Sequence, residues 1–342
     1  MLKISQREVY LCRQTTVMQT FIRIAIGFAA VFQASWVTAQ MTFFPEDIVV
    51  TASVLNLRDK PDKSGKVLEK LSKGSSLTLV EVGNGGQYVE VDSVSGLWLK
   101  VKSPSKTGYV FSPYVSGTYY LCADREIVHD PLPPLNWYGI YVRDSFADEL
   151  RKIEIHRVQE YNEAFMENVD VLYTNQRDTA KFIIGSAKPL KAGFVSSLGL
   201  FDPNLTYYSS LLSPGAMMPI HPGTDGQDAQ EKSTYYLAAT GCAQFGDSDF
   251  VQVTNFRLHA LNMVPDQPTH RQDLTGWVQP GEGLNPNIGL IWYGDLDGDN
   301  KPDAILEDAP YEVGSRISLY LTSAARPGML LHKVCEHFFV ID

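Results

Sequence analysis

Cysteine is scarce in this chain: four in 342 residues. Cys12 sits near the start, and Cys122, Cys242 and Cys335 are far apart. That spacing excludes a zinc knuckle and a redox Cys-x-x-Cys pair. One disulfide with a spare thiol fits an oxidising compartment, and so do three buried thiols; spacing does not choose between them. No H-E-x-x-H, G-x-S-x-G or P-loop pattern occurs, which removes the common metalloprotease, hydrolase and nucleotide-binding readings. Positive charge is also short, with 29 Lys and Arg against 39 Asp and Glu. The net charge of −10 disfavours phosphate backbones, so no nucleic-acid partner is expected. No apolar run spans a bilayer comfortably.

The longest such run, Ile24 to Phe32, follows Arg23 and precedes Ala34-Ser35-Trp36-Val37-Thr38-Ala39. A charged start, a short apolar stretch and small residues at Val37 and Ala39 predict a secretory signal peptide over 1–39, with Met18 an alternative start. No membrane span remains after processing, and the expected location is periplasmic or secreted. Lys3, Arg7, Arg13 and Arg23 against Glu8 leave with the leader, so the remainder stands at −13.

What is present reads as mainly β. From 47 to 115, period-2 alternation is broken by turn residues. Val54-Leu55-Asn56-Leu57-Arg58, Tyr88-Val89-Glu90-Val91 and Trp98-Leu99-Lys100-Val101 all alternate. Asn84-Gly85-Gly86 predicts a hairpin turn. Short strands with no helix signal predict a small β-barrel.

Four segments in order carry a resemblance: Leu55 to Pro61, Val67 to Gly74, Gly108 to Tyr109-Val110, and Tyr114-Val115. Together they resemble the bacterial SH3-like (SH3b) domain. The departures are a long Tyr88–Thr107 segment and Tyr109 in place of the usual Trp. The resemblance implies an SH3-like barrel that binds cell-wall peptidoglycan or an envelope protein or peptide. Tyr88, Trp98, Tyr109, Phe111 and Tyr114 are candidates for an aromatic ligand groove, against the alternative that they fill a small core.

A larger β-rich unit is expected over 118–342. Strand-like stretches include 119–122, 138–142, 169–173, 181–184, 234–239, 250–258 and 289–293. The stretch 149–158 fits either a helix or an exposed strand, and 198–222 reads as long loops. Helix is expected only after Thr322, with Met329 to Phe338 open between strand and short helix.

The sharpest chemistry is Asp295-Leu-Asp297-Gly-Asp299-Asn-Lys301-Pro-Asp303. Like charges so close repel, whereas Ca²⁺ takes six to eight oxygens at such spacing. Asp295, Asp297, Asp299, the Lys301 carbonyl and Asp303 are the candidate ligands. Asn300 stands where such loops use Gly. The loop resembles the strand-loop-strand calcium motifs of the FG-GAP class. Gly294 to Phe338 resembles a C-terminal segment of exported bacterial proteins that carry an SH3b domain ahead of it. Asp225 to Asp228 and Gly246 to Asp249 read as solvated acidic turns. The competing reading is a cell-wall hydrolase, for which Cys242 and His259 offer an imperfect dyad lacking a recognisable orienting group.

Overall fold

The structure, a computed structural model, describes residues 45–340 apart from 129–131, 145–146, 164–165, 199–210, 222–233, 246–250, 279–287 and 312–313. The leader over 1–39 and the acidic turns at Asp225 and Gly246 lie outside the described residues. Among the described residues no helix is long and apolar enough to cross a membrane. The fold is built from strands and short 3-10 turns.

The first nine strands are β1 (Asp47–Val50), β2 (Val54–Arg58), β3 (Val67–Ser72), β4 (Ser76–Val82), β5 (Val89–Val91), β6 (Val94–Gly96), β7 (Trp98–Lys102), β8 (Thr107–Phe111) and β9 (Val115–Gly117). Seven of them form one antiparallel sheet in the order β3-β2-β8-β7-β4-β1-β9. Alternation in sequence becomes alternation in burial: Leu55, Leu57, Leu99, Val101 and Val110 point inward with Ile48, Val50 and Leu77. Strands β5 and β6 pair only with each other and account for the long Tyr88–Thr107 segment.

One expectation fails here. Gly83–Gly86 is a 3-10 turn leading to β5, not a hairpin turn. A Cβ on Gly83 would sit 2.9 Å from the Trp98 carbonyl oxygen, so close passage along β7 dictates this backbone. The hairpin turn is at Asp92-Ser93, with φ of 52° and 63°. Two left-handed residues are what a tight hairpin needs, although neither is glycine.

Beyond the barrel, β10 (Tyr119–Cys122), β11 (Asn136–Asp144) and β12 (Ala147–Lys152) begin a second sheet. Strands β13 (Ile155–Asn162) and β14 (Glu167–Thr174) form a separate ribbon, and β15 (Phe182–Ser186) and β16 (Gly193–Leu198) return to the sheet. Strands β17 (Met217–Ile220), β18 (Tyr235–Phe245), β19 (Val251–Asn262) and β20 (His270–Asp273) make a four-stranded sheet. Strands β21 (Gly289–Gly294), β22 (Asp303–Tyr311), β23 (Gly314–Leu321) and β24 (His332–Val340) complete the nine-stranded order β10-β15-β11-β12-β16-β21-β22-β23-β24.

The stretch 149–158 is two strands of different sheets. They are divided at Ile153-Glu154, where Ile153 turns inward and is buried. The expected helix after Thr322 does not form. Thr322 to Met329 makes two turns, and β24 is a full strand paired with β23, because Val334 and Cys335 are held in the core.

The nine-stranded sheet curls until its ends share one core. Leu121 of β10 and Cys335 of β24 join the same cluster as Ile140, Trp292, Ile305 and Leu319. Strands β21–β23 present their opposite face to the four-stranded sheet. Leu290, Ala304, Leu306 and Tyr320 meet Leu237, Ala239, Leu258 and Ala260 there. Strand β22 shows how period 2 splits one strand between two cores: Ile305 faces one, Ala304 and Leu306 the other.

A charged seam runs through β22–β24. Arg316 Nε donates to Asp308 Oδ1 at 2.8 Å, and its second nitrogen meets Asp308 Oδ2 at 2.5 Å. A third contact reaches Glu336 at 3.5 Å, and Glu336 also pairs with Lys333. Asp308, Arg316 and Lys333 are buried, so each charge depends on its partner for solvation.

Candidate functional site

The acidic loop joins β21 to β22. Asp295 organises it by accepting backbone N–H groups: Gly298 at 2.7 Å and Asp299 at 3.1 Å on Oδ1, Asn300 at 2.9 Å on Oδ2. Asp299 Oδ1 accepts from Lys301 N at 2.8 Å. Gly298 and Asn300 adopt φ of 81° and 62°, so the loop uses the left-handed conformation at the position where Asn replaces Gly. Asp303, at the start of β22, is fully buried. It accepts from Leu296 N and from Thr322 N, both at 2.9 Å, and so ties the loop to the end of β23.

Oxygens of Asp295, Asp297 and Asp303 lie within 4.8 Å of one another. Asp299 is outside this group of three, with Oδ2 3.7 Å from Lys301 Nζ. Ser323 Oγ donates to Asp297 Oδ2, while Asp297 Oδ1 is buried without a hydrogen-bond partner among the described residues. Burial pushes the Asp297 carboxyl up, and neighbouring Asp299 and Asp295 add to it. Burial likewise pushes Asp303 well above the usual carboxylate range, with Asp297 the next cause. Three converging hard oxygens, one lacking a donor, suit a hard divalent cation better than any neutral ligand. The hydroxyl of Ser323 and the backbone of Thr322 arrive from a distant strand end, and the loop sequence carries no sign of them.

In the barrel, Trp98 and Phe111 are buried with ring centroids 5.3 Å apart. Tyr114 continues the stack 6.2 Å from Phe111 and is partly exposed. Tyr88 is exposed and Tyr109 half-buried, and neither has a ring partner among the described residues. The structure thus brings three of the five aromatic candidates together and leaves two apart.

Cys242 and His259 are not brought together. Cys242 lies opposite Thr254 and is exposed, whereas His259 lies opposite Ala238 further along the ribbon and is buried against Arg271. Cys122 and Cys335 are buried free thiols, and burial raises both well out of the reactive range.

Residues 53–116 match the bacterial SH3 domain family. The match covers the barrel from just before β2 into β9; β1, outside it, completes the sheet by pairing with β4 and β9. Comparison with curated proteins finds no match to the chain. The class defined is therefore a β-protein with a bacterial SH3 domain followed by a larger β-rich unit.

Proposed function

We propose that the chain is an exported cell-envelope binding protein. Its SH3 domain recognises cell-wall peptidoglycan or an envelope protein or peptide, and its larger unit carries structural calcium. The observation that carries the first part is the family match over 53–116, since bacterial SH3 domains are a cell-wall binding module type. The second part rests on the clustered oxygens of Asp295, Asp297 and Asp303. Asp299 and the Lys301 carbonyl would complete the ligand set with small movements of an exposed loop. Removal of 1–39 would leave the protein in the periplasm or outside the cell. The metal's role is to neutralise the acidic loop and fix it between β21 and β22, stabilising the native state by binding it alone.

Sedimentation with isolated cell wall, with and without Ca²⁺, tests the reading. Binding saturable by wall material is the expected result. A protein that stays in the supernatant at every wall concentration would overturn it. Release of soluble fragments in the same tube would favour the hydrolase alternative.

A further inference from the structure

A cleft of about 820 Å³ opens where the barrel meets the second sheet. One wall comes from β1, β4 and the turns on either side, the other from β10, the loop after β15 and the start of β24. Such a volume accommodates a ligand of a few residues, and junctions between folded units commonly hold ligand sites. Lys73 and Lys102 from the barrel and Lys188 from the loop after β15 stand exposed on its lining, and none has an ion pair among the described residues. The acids nearby do not cancel them. Glu46 is matched by Arg326, which leaves Asp47. Lys333, also on the lining, is occupied by Glu336 and the Trp277 carbonyl.

The cleft is thus positive on a chain whose net charge is −10. Segment 53–116 alone carries nine Lys and Arg against six Asp and Glu. Pro104, Pro134 and Leu135 add stiff apolar wall between the lysines. Separate ammonium groups act as point charges and suit dispersed carboxylates, whereas a phosphate is best gripped by converging guanidinium forks or a helix N-terminus, neither of which lines the cleft.

We propose that this junctional cleft binds a short peptide bearing free carboxylates. The proposal rests on the wall-binding reading and names where on the molecule the ligand sits. The test is calorimetry with the full chain and a soluble stem peptide of the cell wall, alongside the same peptide with its carboxyls capped as amides. The triple variant K73Q/K102Q/K188Q should weaken binding about tenfold, since three exposed charge contacts to the peptide are lost together. Capping should do the same, and K73R/K102R/K188R should hold affinity within about threefold, because charge is retained. These lysines are exposed, so circular dichroism should not change. Equal binding of the triple glutamine variant and the parent, or of capped and free peptide, overturns the proposal. So does the absence of heat at millimolar peptide. Wall sedimentation that persists while the lysine variants bind normally sinks the cleft alone. Lysine-dependent peptide binding without wall sedimentation sinks the envelope reading alone.

Discussion

Asp297→Asn should reverse a stability order. Oxygens of Asp295, Asp297 and Asp303 lie no more than 4.8 Å apart. At an effective dielectric near 20, two unit charges at that distance repel by about 3.5 kcal/mol. Asp297 takes part in two such pairs. Its partial exposure screens them. A net relief of about 1–2 kcal/mol is a reasonable remainder. Asparagine keeps the oxygen that accepts from Ser323, so the hydrogen bond survives. In chelator the variant should therefore melt about 2–8 °C above the parent, at roughly 2–4 °C per kcal/mol for a unit of this size. With calcium at one hundred times its dissociation constant, the parent should gain about 2.7 kcal/mol and the variant little. The curves then cross: variant above parent without metal, parent above variant with it. Thermal melts by circular dichroism in both buffers decide the matter. A variant that is the weaker in chelator and responds equally to calcium would refute the reasoning.

Other outcomes follow from the same structure. Arg316→Met removes the paired guanidinium from the buried Asp308 carboxylate and should cost about 3–5 kcal/mol by urea denaturation, while adding Asp308→Leu should recover most of that loss. Asn300→Gly should leave stability nearly unchanged, whereas Asn300→Val should cost about 1–2 kcal/mol, because φ is 62° there. Gly108→Ala would place a Cβ 2.5 Å from the Arg58 carbonyl oxygen and 2.9 Å from Leu57 Cγ, and a loss of about 1–3 kcal/mol is expected in chemical denaturation. Burial holds His221, His259 and His332 below the usual imidazole range. For these groups the unfolded chain takes up protons first as pH falls below about 6.5, so their contribution to stability should drop between pH 7 and pH 5, and the difference between His259→Gln and the parent should narrow or reverse in the variant's favour over that range.

Legibility in the sequence followed how local each feature is. The acidic loop was readable because its carboxylates fall within nine consecutive residues, and its left-handed Asn300 needed only the spacing rule. Barrel strands were readable because Leu55, Leu57, Leu99 and Val101 alternate along single segments. The Asp92-Ser93 hairpin was missed because its residues are weaker turn signals than Asn84-Gly85, which fall in a 3-10 turn that starts at Gly83, where the backbone passes close to the Trp98 carbonyl. The Asp308–Arg316–Glu336 seam has no local signature in the sequence, since only tertiary packing of β22–β24 brings its members together and buries Asp308 and Arg316. The cleft draws on β1, β10 and β24, and no local pattern announces such a meeting.

The curled sheet also imposes a schedule on synthesis. His337 of β24 touches Glu126, just beyond β10, across 211 residues. At about 5–20 residues per second, roughly 10–40 s separate the birth of the two partners. Throughout that interval Leu121 and Ile140 wait for their cover, so the half-made polypeptide must be shielded or kept unfolded until its final strand zips the seam.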